Sequence, residues 1–349
     1  MRVSKQDLTK LIQTKLTKAG LHEDHAAVVA DVLVFADAKG IHSHGAMRVE
    51  YYAERIAKHG INHEPDFKFE KTGPSSGVLH GDNGAGHVAA TRAMDEAIQI
   101  AKETGVAVVG VKNMSHSGAI SYFTERAAEQ DLVGFSVCQS DPMVVPFGGA
   151  EAYYGTNPIA FAAPGNDGKC ISFDMATTVQ AWGKILHARS KNEAIPEDWA
   201  VDENGEATTN PFDVQALLPI AGPKGYGLGM MVDVLAGVLL GLPFGNKVSS
   251  MYHDLSEGRN LGQLHLVINP EQFTAIQKFK DNITASMSDL NHIKPAPGFD
   301  QVFYPGQNLE VIQADYEANG IEIVDDIYDY LVSDTIHHNA YDAKDPFAE

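Results

Sequence analysis

The sequence predicts an α/β fold, a layered sheet preceded by a helical layer, on three observations. Strand and helix signals alternate along residues 76–138: strand at 76–80, helix at 88–104, strand at 106–111, helix at 117–130, strand at 132–138. The run at 106–111 is continuously apolar, the pattern of a strand buried on both faces, and 132–138 reads as another buried strand. The first sixty residues, in contrast, carry only helical signals.

Taken in order, Ser4 can cap a first helix, with Asp7 at the capping-box position and Gly20 closing it. A second helix is expected over 23–38, ending at Gly40, and a third closes at Gly60. Wound at the helical pitch from Ser43, residues His44, Arg48 and Tyr52 fall in one stripe, with Arg55 one turn later. Ala46, Val49, Ala53 and Ile56 form an apolar stripe on the opposite side. The polar stripe suits an anionic, hydroxylated small molecule: guanidinium for a carboxylate, imidazole and phenol for hydroxyl or carbonyl oxygen. A solvated outer face explains the same pattern.

Beyond the alternating region, strands are expected at 159–163 and 170–173, then a helix from 177 to about 190. A polar stretch rich in Pro, Asn and Asp follows at 191–211 and is expected at the surface. Residues 225–240 read as a helix apolar nearly all round, and therefore as a buried one. A strand at 263–269, an amphipathic helix at 270–290 and a helical tail from 309, acidic at 325–329, complete the chain. The expected organisation is an N-terminal helical domain, 1–65, with 300–349 packing nearby, and an α/β dinucleotide- and substrate-binding region at 66–299.

Composition narrows the function. The 349 residues carry a net charge of −20, which disfavours nucleic acid and anionic membrane surfaces as partners. An anionic small-molecule substrate would then need a local positive site such as Arg48 or Lys224. The two cysteines, Cys138 and Cys170, lie in apolar runs and form no C-x-x-C, which suits a reducing compartment. The start of the chain reads as a helix without a signal-like apolar core, so a cytoplasmic location is expected.

Sites in α/β layers gather past the carboxyl ends of strands. Three junctions qualify. Asn113-Met114-Ser115-His116-Ser117-Gly118 places His116 at a strand end, where it can act as a general base or merely bond loop backbone. Gln139-Ser140-Asp141-Pro142 offers a hydroxyl and a carboxylate, or an ordinary polar turn. Asp174-Met175-Ala176-Thr177-Thr178, read as a strand-to-helix turn, could hold a phosphate and a ribose hydroxyl, or simply cap the helix. In Pro223-Lys224-Gly225-Tyr226-Gly227-Leu228-Gly229, close packing explains the glycines but not Lys224, a point charge suited to phosphate.

Gly84-Ala85-Gly86-His87-Val88-Ala89 is a formal G-x-G-x-x-A, but the next strand ends in Val111-Lys112-Asn113 with no acid for a ribose, so it reads as a decoy. No phosphate-binding G-x-x-x-x-G-K-[ST] is present. The sets His22-Glu23-Asp24-His25 and His42-Ser43-His44 resemble metal ligands in composition alone, and no metal is expected.

Assembled in order, Asp37-Ala38-Lys39-Gly40-Ile41-His42-Ser43-His44-Gly45, His116-Ser117-Gly118, Gly155-Thr156-Asn157-Pro158, Phe173-Asp174-Met175-Ala176-Thr177 and Lys224-Gly225-Tyr226-Gly227-Leu228 resemble the type-2 malate/lactate dehydrogenase family, essentially end to end. The resemblance implies a mixed-sheet cofactor domain that is not a Rossmann fold, NAD as hydride acceptor, and a 2-hydroxy acid substrate. Carried over by position, His116 would remove the hydroxyl proton and Arg48 would clamp the carboxylate, with His44 and Tyr52 alongside. Ser140, Asp174, Met175, Ala176 and Lys224 would contact the dinucleotide, NAD being favoured because an aspartate beside the ribose repels a 2′-phosphate. Pro305-Gly306-Gln307 stands where the family often has Pro-Gly-Glu, which adds Gly306 to the cofactor set. Homodimers or higher assemblies are also implied.

The stretches Cys138-Gln139-Ser140-Asp141-Pro142-Met143 and Leu261-Gly262-Gln263-Leu264-His265 are similar to a branch that oxidises a ureido-bearing 2-hydroxy acid in purine nitrogen recovery. Asp141 is then the candidate acceptor for ureido N–H groups. Malate, lactate, sulfolactate or a diketogulonate-type acid are alternative substrates. A metal-dependent hydrolase or lyase and a silent dinucleotide binder are the alternatives outside that class.

Overall fold

The computed structural model describes residues 1–343. Strand β1 (Arg2–Val3) leads into α1 (Lys5–Lys18), where Ser4 caps as expected, its Oγ accepting from the Asp7 amide at 3.0 Å. Helix α2 (Glu23–Ala38) follows, and then the structure departs from expectation. Two single turns, His42–His44 and Ala46–Arg48, precede α3 (Val49–Ala57) in place of one continuous helix. The cause is Asp37 at the end of α2. Its buried carboxylate takes the Ala46 amide at 2.6 Å and His42 Nδ1 at 2.9 Å, which pulls the chain out of helical register at Gly45.

Strands β2 (Lys68–Gly73) and β3 (Ser76–His80), helix α4 (Gly86–Thr104) and strand β4 (Val106–Met114) come next. After them run α5 (Ser121–Ala128), β5 (Val133–Cys138), β6 (Ile159–Pro164), β7 (Cys170–Met175) and α6 (Trp182–Lys191). The chain continues through β8 (Ala200–Val201), β9 (Ala216–Leu217), α7 (Pro223–Ala236), β10 (Leu261–Ile268) and α8 (Ile276–His292). It closes with α9 (Gln307–Asn319), β11 (Ile321–Glu322), which pairs with β1, and α10 (Asp325–Val332). Residues 333–343 are not helical, and the last six residues of the expected helical tail lie outside the described residues.

Among the described residues the main sheet has seven strands in the order β2-β3-β4-β10-β5-β6-β7, and only the β3–β4 pair is parallel. The mixed sheet is therefore present. The late strand β10 runs antiparallel between β4 and β5, pairing Leu261 with Met114 and Gln263 with Cys138. Its start thus lies beside the ends of both neighbours, on the edge where the loops after Met114 and Cys138 emerge. One apolar core joins α1, α2 and α3 to Ile321, Ile323, Tyr330 and Leu331 from the end of the chain, and a second lies between the sheet and α4 and α5. Lys39 and Glu125, both nearly buried, form an ion pair that ties the helical layer to α5.

Three other expectations change. Helix α6 starts at Trp182 because residues 177–178 stay extended against Pro219 and Ile220, which leaves Asp174 and Met175 inside β7. The polar stretch after residue 191 is not wholly superficial: Ile195 and Ala200 are buried in a small core with Ile185 and Leu217. Helix α7 is not buried all round, since Leu228, Met231, Val234 and Leu239 just beyond it are exposed. No helix of the described residues is long and apolar enough to cross a membrane.

A Cβ built on Gly45 would stand 2.1 Å from Asp37 Oδ1. Gly45→Ala is accordingly expected to cost about 1–3 kcal/mol through forced displacement of that carboxylate. Urea unfolding measures it, and an unchanged midpoint would mean that Asp37 does not set the path of residues 42–48.

Candidate active site

The candidate site begins where β4 ends. His116 stands two residues past Met114, and the glycine opening α4 lets that helix approach the loop: a Cβ on Gly86 would lie 2.0 Å from the Ser115 carbonyl oxygen. From α3, Tyr52 reaches across the layers and places its Oη 2.7 Å from His116 Nδ1. The Gly118 amide also donates to that nitrogen, at 3.2 Å. An amide can only donate and so favours a lone pair at Nδ1, whereas the phenol can either donate to that nitrogen or accept a proton carried on it, according to the ring's tautomer. Burial, reinforced by His44, His87, Arg48 and Arg259, holds His116 well below the ordinary imidazole range.

His44 stacks on His116 with ring centres 5.9 Å apart, and burial pushes it down to about 4. Arg48 donates through Nε to the Ser43 carbonyl at 2.8 Å and through Nη1 to Tyr252 Oη at 3.2 Å. Among the described residues its Nη2 has no partner. His44, Arg48 and His116 are all half-buried and partly accessible. The stripe read from the sequence thus converges without the helix that motivated it. Arg55 does not join it: fully buried, it donates to the carbonyls of Met251 and Glu257.

Of the expected cofactor positions, Ser140 and the residues after Met175 meet at the turn 155–157, while Gly306, Asp174 and Lys224 stand elsewhere. Ser140 Oγ lies 3.0 Å from Thr156 Oγ1, and Asn157 Oδ1 takes the Ser140 amide while Nδ2 donates to the Gly229 carbonyl of α7 at 2.9 Å. Thr177, just after Met175 and Ala176, bonds the Thr156 carbonyl. Gly306 backs onto β7, since the Pro305 carbonyl accepts from the Ser172 amide at 3.1 Å and the glycine has φ +97°. Asp174 accepts the Ser121 amide at 2.9 Å, and crowding raises its carboxyl to about 6 although one side is exposed. Lys224 is exposed with no partner among the described residues, on the first turn of α7, where no side chain caps the amides. A free ammonium beside uncapped amides fits a pyrophosphate.

Two residues of the site went unread in the sequence. Arg259, in the segment leading into β10, is fully buried and pairs with Asp141 at 2.5 Å. A rule that searches only the carboxyl ends of strands misses it. His87, dismissed with the decoy glycine motif, lies edge-on 4.9 Å from the Tyr52 ring, and its buried Nε2 has no hydrogen-bond partner. Among the described residues no group of His, Cys, Asp and Glu is placed to hold a metal ion.

Residues 3–332 match the sequence model of the malate/L-lactate dehydrogenase family. The chain belongs to that family. Members similar to it include a protein of Escherichia coli strain K12 named ureidoglycolate dehydrogenase (NAD(+)), 62% identical over the full length of both chains. A malate dehydrogenase of Pyrococcus abyssi is 37% identical over 95% of this chain and 93% of the relative. Among solved structures of the family, the sulfolactate dehydrogenase of Methanocaldococcus jannaschii superposes with a TM-score of 0.88 at 38% identity, covering 95% of each chain.

The buried histidines carry a pH signature. Burial holds His87 down at about 3, against about 6.5 when unfolded, so the unfolded chain binds the extra proton between those values. The resulting stability is complete above pH 6.5 and is lost as pH falls toward 3. Between pH 6 and 4, wild type should therefore lose about 1.4 kcal/mol per pH unit more than His87→Gln. Denaturant unfolding across that range measures it, and parallel curves would show that His87 is not held neutral.

Proposed function

We propose that this protein catalyses the NAD-dependent oxidation of (S)-ureidoglycolate to oxalurate, a step in recovering purine nitrogen from allantoin. The full-length likeness to ureidoglycolate dehydrogenases, at 62% identity, carries this reading. The convergence of His116, Tyr52 and Arg48 supports it chemically.

Lys224 and the start of α7 would hold the dinucleotide's phosphates, with Ser140, Asp174, Met175, Ala176 and Gly306 around the remainder. NAD, when bound, supplies the acceptor for the hydride that leaves the substrate carbon. The chain's own groups manage the other charges. Arg48 holds the substrate carboxylate, His44 lines the same cleft, and Asp141 faces the ureido end. His116 takes the hydroxyl proton at Nε2, with the ring's own proton on Nδ1 donated to Tyr52 Oη before and after the transfer. Because burial keeps the imidazole neutral, it is ready to receive a proton at neutral pH. Crowded walls limit water around the reacting carbon.

The exposed apolar row of Leu228, Met231, Val234 and Leu239 supports a homodimer in which a second copy covers α7. Two unpaired cysteines support a cytoplasmic setting.

A panel crossing NAD and NADP with ureidoglycolate, malate, lactate and sulfolactate is expected to give the highest kcat/KM for NAD with ureidoglycolate. Preference for any other acid would overturn the substrate assignment. His116→Ala is expected to lower kcat by about 10²–10⁴-fold while NADH still binds, and equal loss of both would make His116 structural. Arg48→Lys should raise KM by about an order of magnitude, because a point charge cannot reproduce a planar fork, and an unchanged KM would remove Arg48 from the carboxylate site.

A further inference from the structure

Asp141 faces a difficulty if it reads the ureido end of the substrate. The substrate is an anion, and a bare carboxylate beside it repels it. Left mobile, the same carboxylate could also swing toward Arg48 and neutralise the group meant for the substrate.

The structure answers with Arg259. Its side chain is fully buried, and its Nη2 donates to Asp141 Oδ1 at 2.5 Å and to the Ser249 carbonyl at 2.7 Å. Its Nε donates to Ser249 Oγ at 3.1 Å, and Ser249 Oγ donates back to the Arg259 carbonyl at 2.8 Å. The second oxygen of Asp141 takes the Met251 amide. The carboxylate is thus fixed at both oxygens by one loop, 249–259, yet its side chain keeps 15% of its surface open. Each carboxylate oxygen can accept more than one hydrogen bond, so capacity for a ligand N–H remains. The same loop carries Tyr252, the partner of Arg48.

Stability alone is a poor reason for such a pair, since apolar side chains of similar volume hold a fold as well or better. We propose that Arg259 is the positioning residue for substrate selection: it cancels the charge of Asp141 and fixes its orientation, turning a carboxylate into a neutral-paired acceptor for amide N–H groups. The proposal rests on the ureidoglycolate reading above and names how that substrate is told from simple 2-hydroxy acids.

The readout is the ratio of kcat/KM for ureidoglycolate to that for (S)-lactate, with NADH affinity measured alongside. Wild type tests the substrate reading by itself. If wild type prefers ureidoglycolate, Asp141→Asn and Arg259→Lys are each expected to lower the ratio by about tenfold or more, with NADH affinity retained. Arg259→Met, which leaves the Asp141 charge uncancelled, should weaken all anionic substrates, and Asp141→Asn in the same chain should recover lactate turnover. A ratio unchanged in Asp141→Asn and Arg259→Lys, or equal losses for both substrates, would overturn the proposal. If Arg259→Met does not fold, those two single variants still decide it.

Discussion

The hydrogen bond between Tyr52 and His116 is the contact on which the rest of the site depends. It joins α3, in the helical layer, to the loop leaving β4, at the rim of the sheet. Without it the two layers would hold their chemistry separately: an arginine and a phenol on one side, an imidazole on the other. Across it, Arg48 and His116 can engage opposite ends of one small acid. Its chemistry also suits a proton that comes and goes, since a phenol oxygen that accepts from Nδ1 leaves the lone pair of Nε2 free to receive one.

The surrounding packing protects that contact. Asp37 bends residues 42–48 so that His44 and Arg48 turn toward His116, and Lys39 with Glu125 fastens the helical layer to α5. His87 packs edge-on against the Tyr52 ring and lies 6.4 Å from that of His116. Tyr341 and Tyr252 stack with ring centres 6.1 Å apart, so a segment near the end of the chain covers the loop that partners Arg48. Three buried or crowded imidazoles, His44, His87 and His116, lie together with Arg48 and Arg259 nearby, and mutual repulsion adds to burial in keeping them neutral. In a chain of net charge −20, with the imidazoles neutral and Arg259 paired to Asp141, the Arg48 guanidinium is the local positive charge that an anionic substrate would require.

Local signals made much of this legible. Apolar runs marked β4 and β5, and Ser4 with Asp7 marked the start of α1, because those patterns act over a few residues. Failures came where distant groups decide. No window around Gly45 reveals that Asp37 will take the Ala46 amide. The extended path after Met175 depends on Pro219 and Ile220, some forty residues on. Placement of β10 between β4 and β5 brings Arg259 to the edge where His116 and Asp141 stand, and only the antiparallel pairing discloses it. Helix α7 was read as buried because apolar residues surround it, yet one chain does not cover them all. In the site, Tyr52 bonds His116, two residues that the sequence singled out, while the ion pair of Asp141 with Arg259 had no sequence signal.

The central claim is that one acid molecule is gripped at one end by Arg48 and at the other by His116. A crystal structure of the protein with NADH and oxamate, a 2-oxo acid mimic, tests it most directly. The oxamate carboxylate is expected within hydrogen-bond distance of the Arg48 guanidinium, and its carbonyl oxygen within the same reach of the His116 imidazole. Oxamate bound to only one of these groups, or to neither, would contradict it.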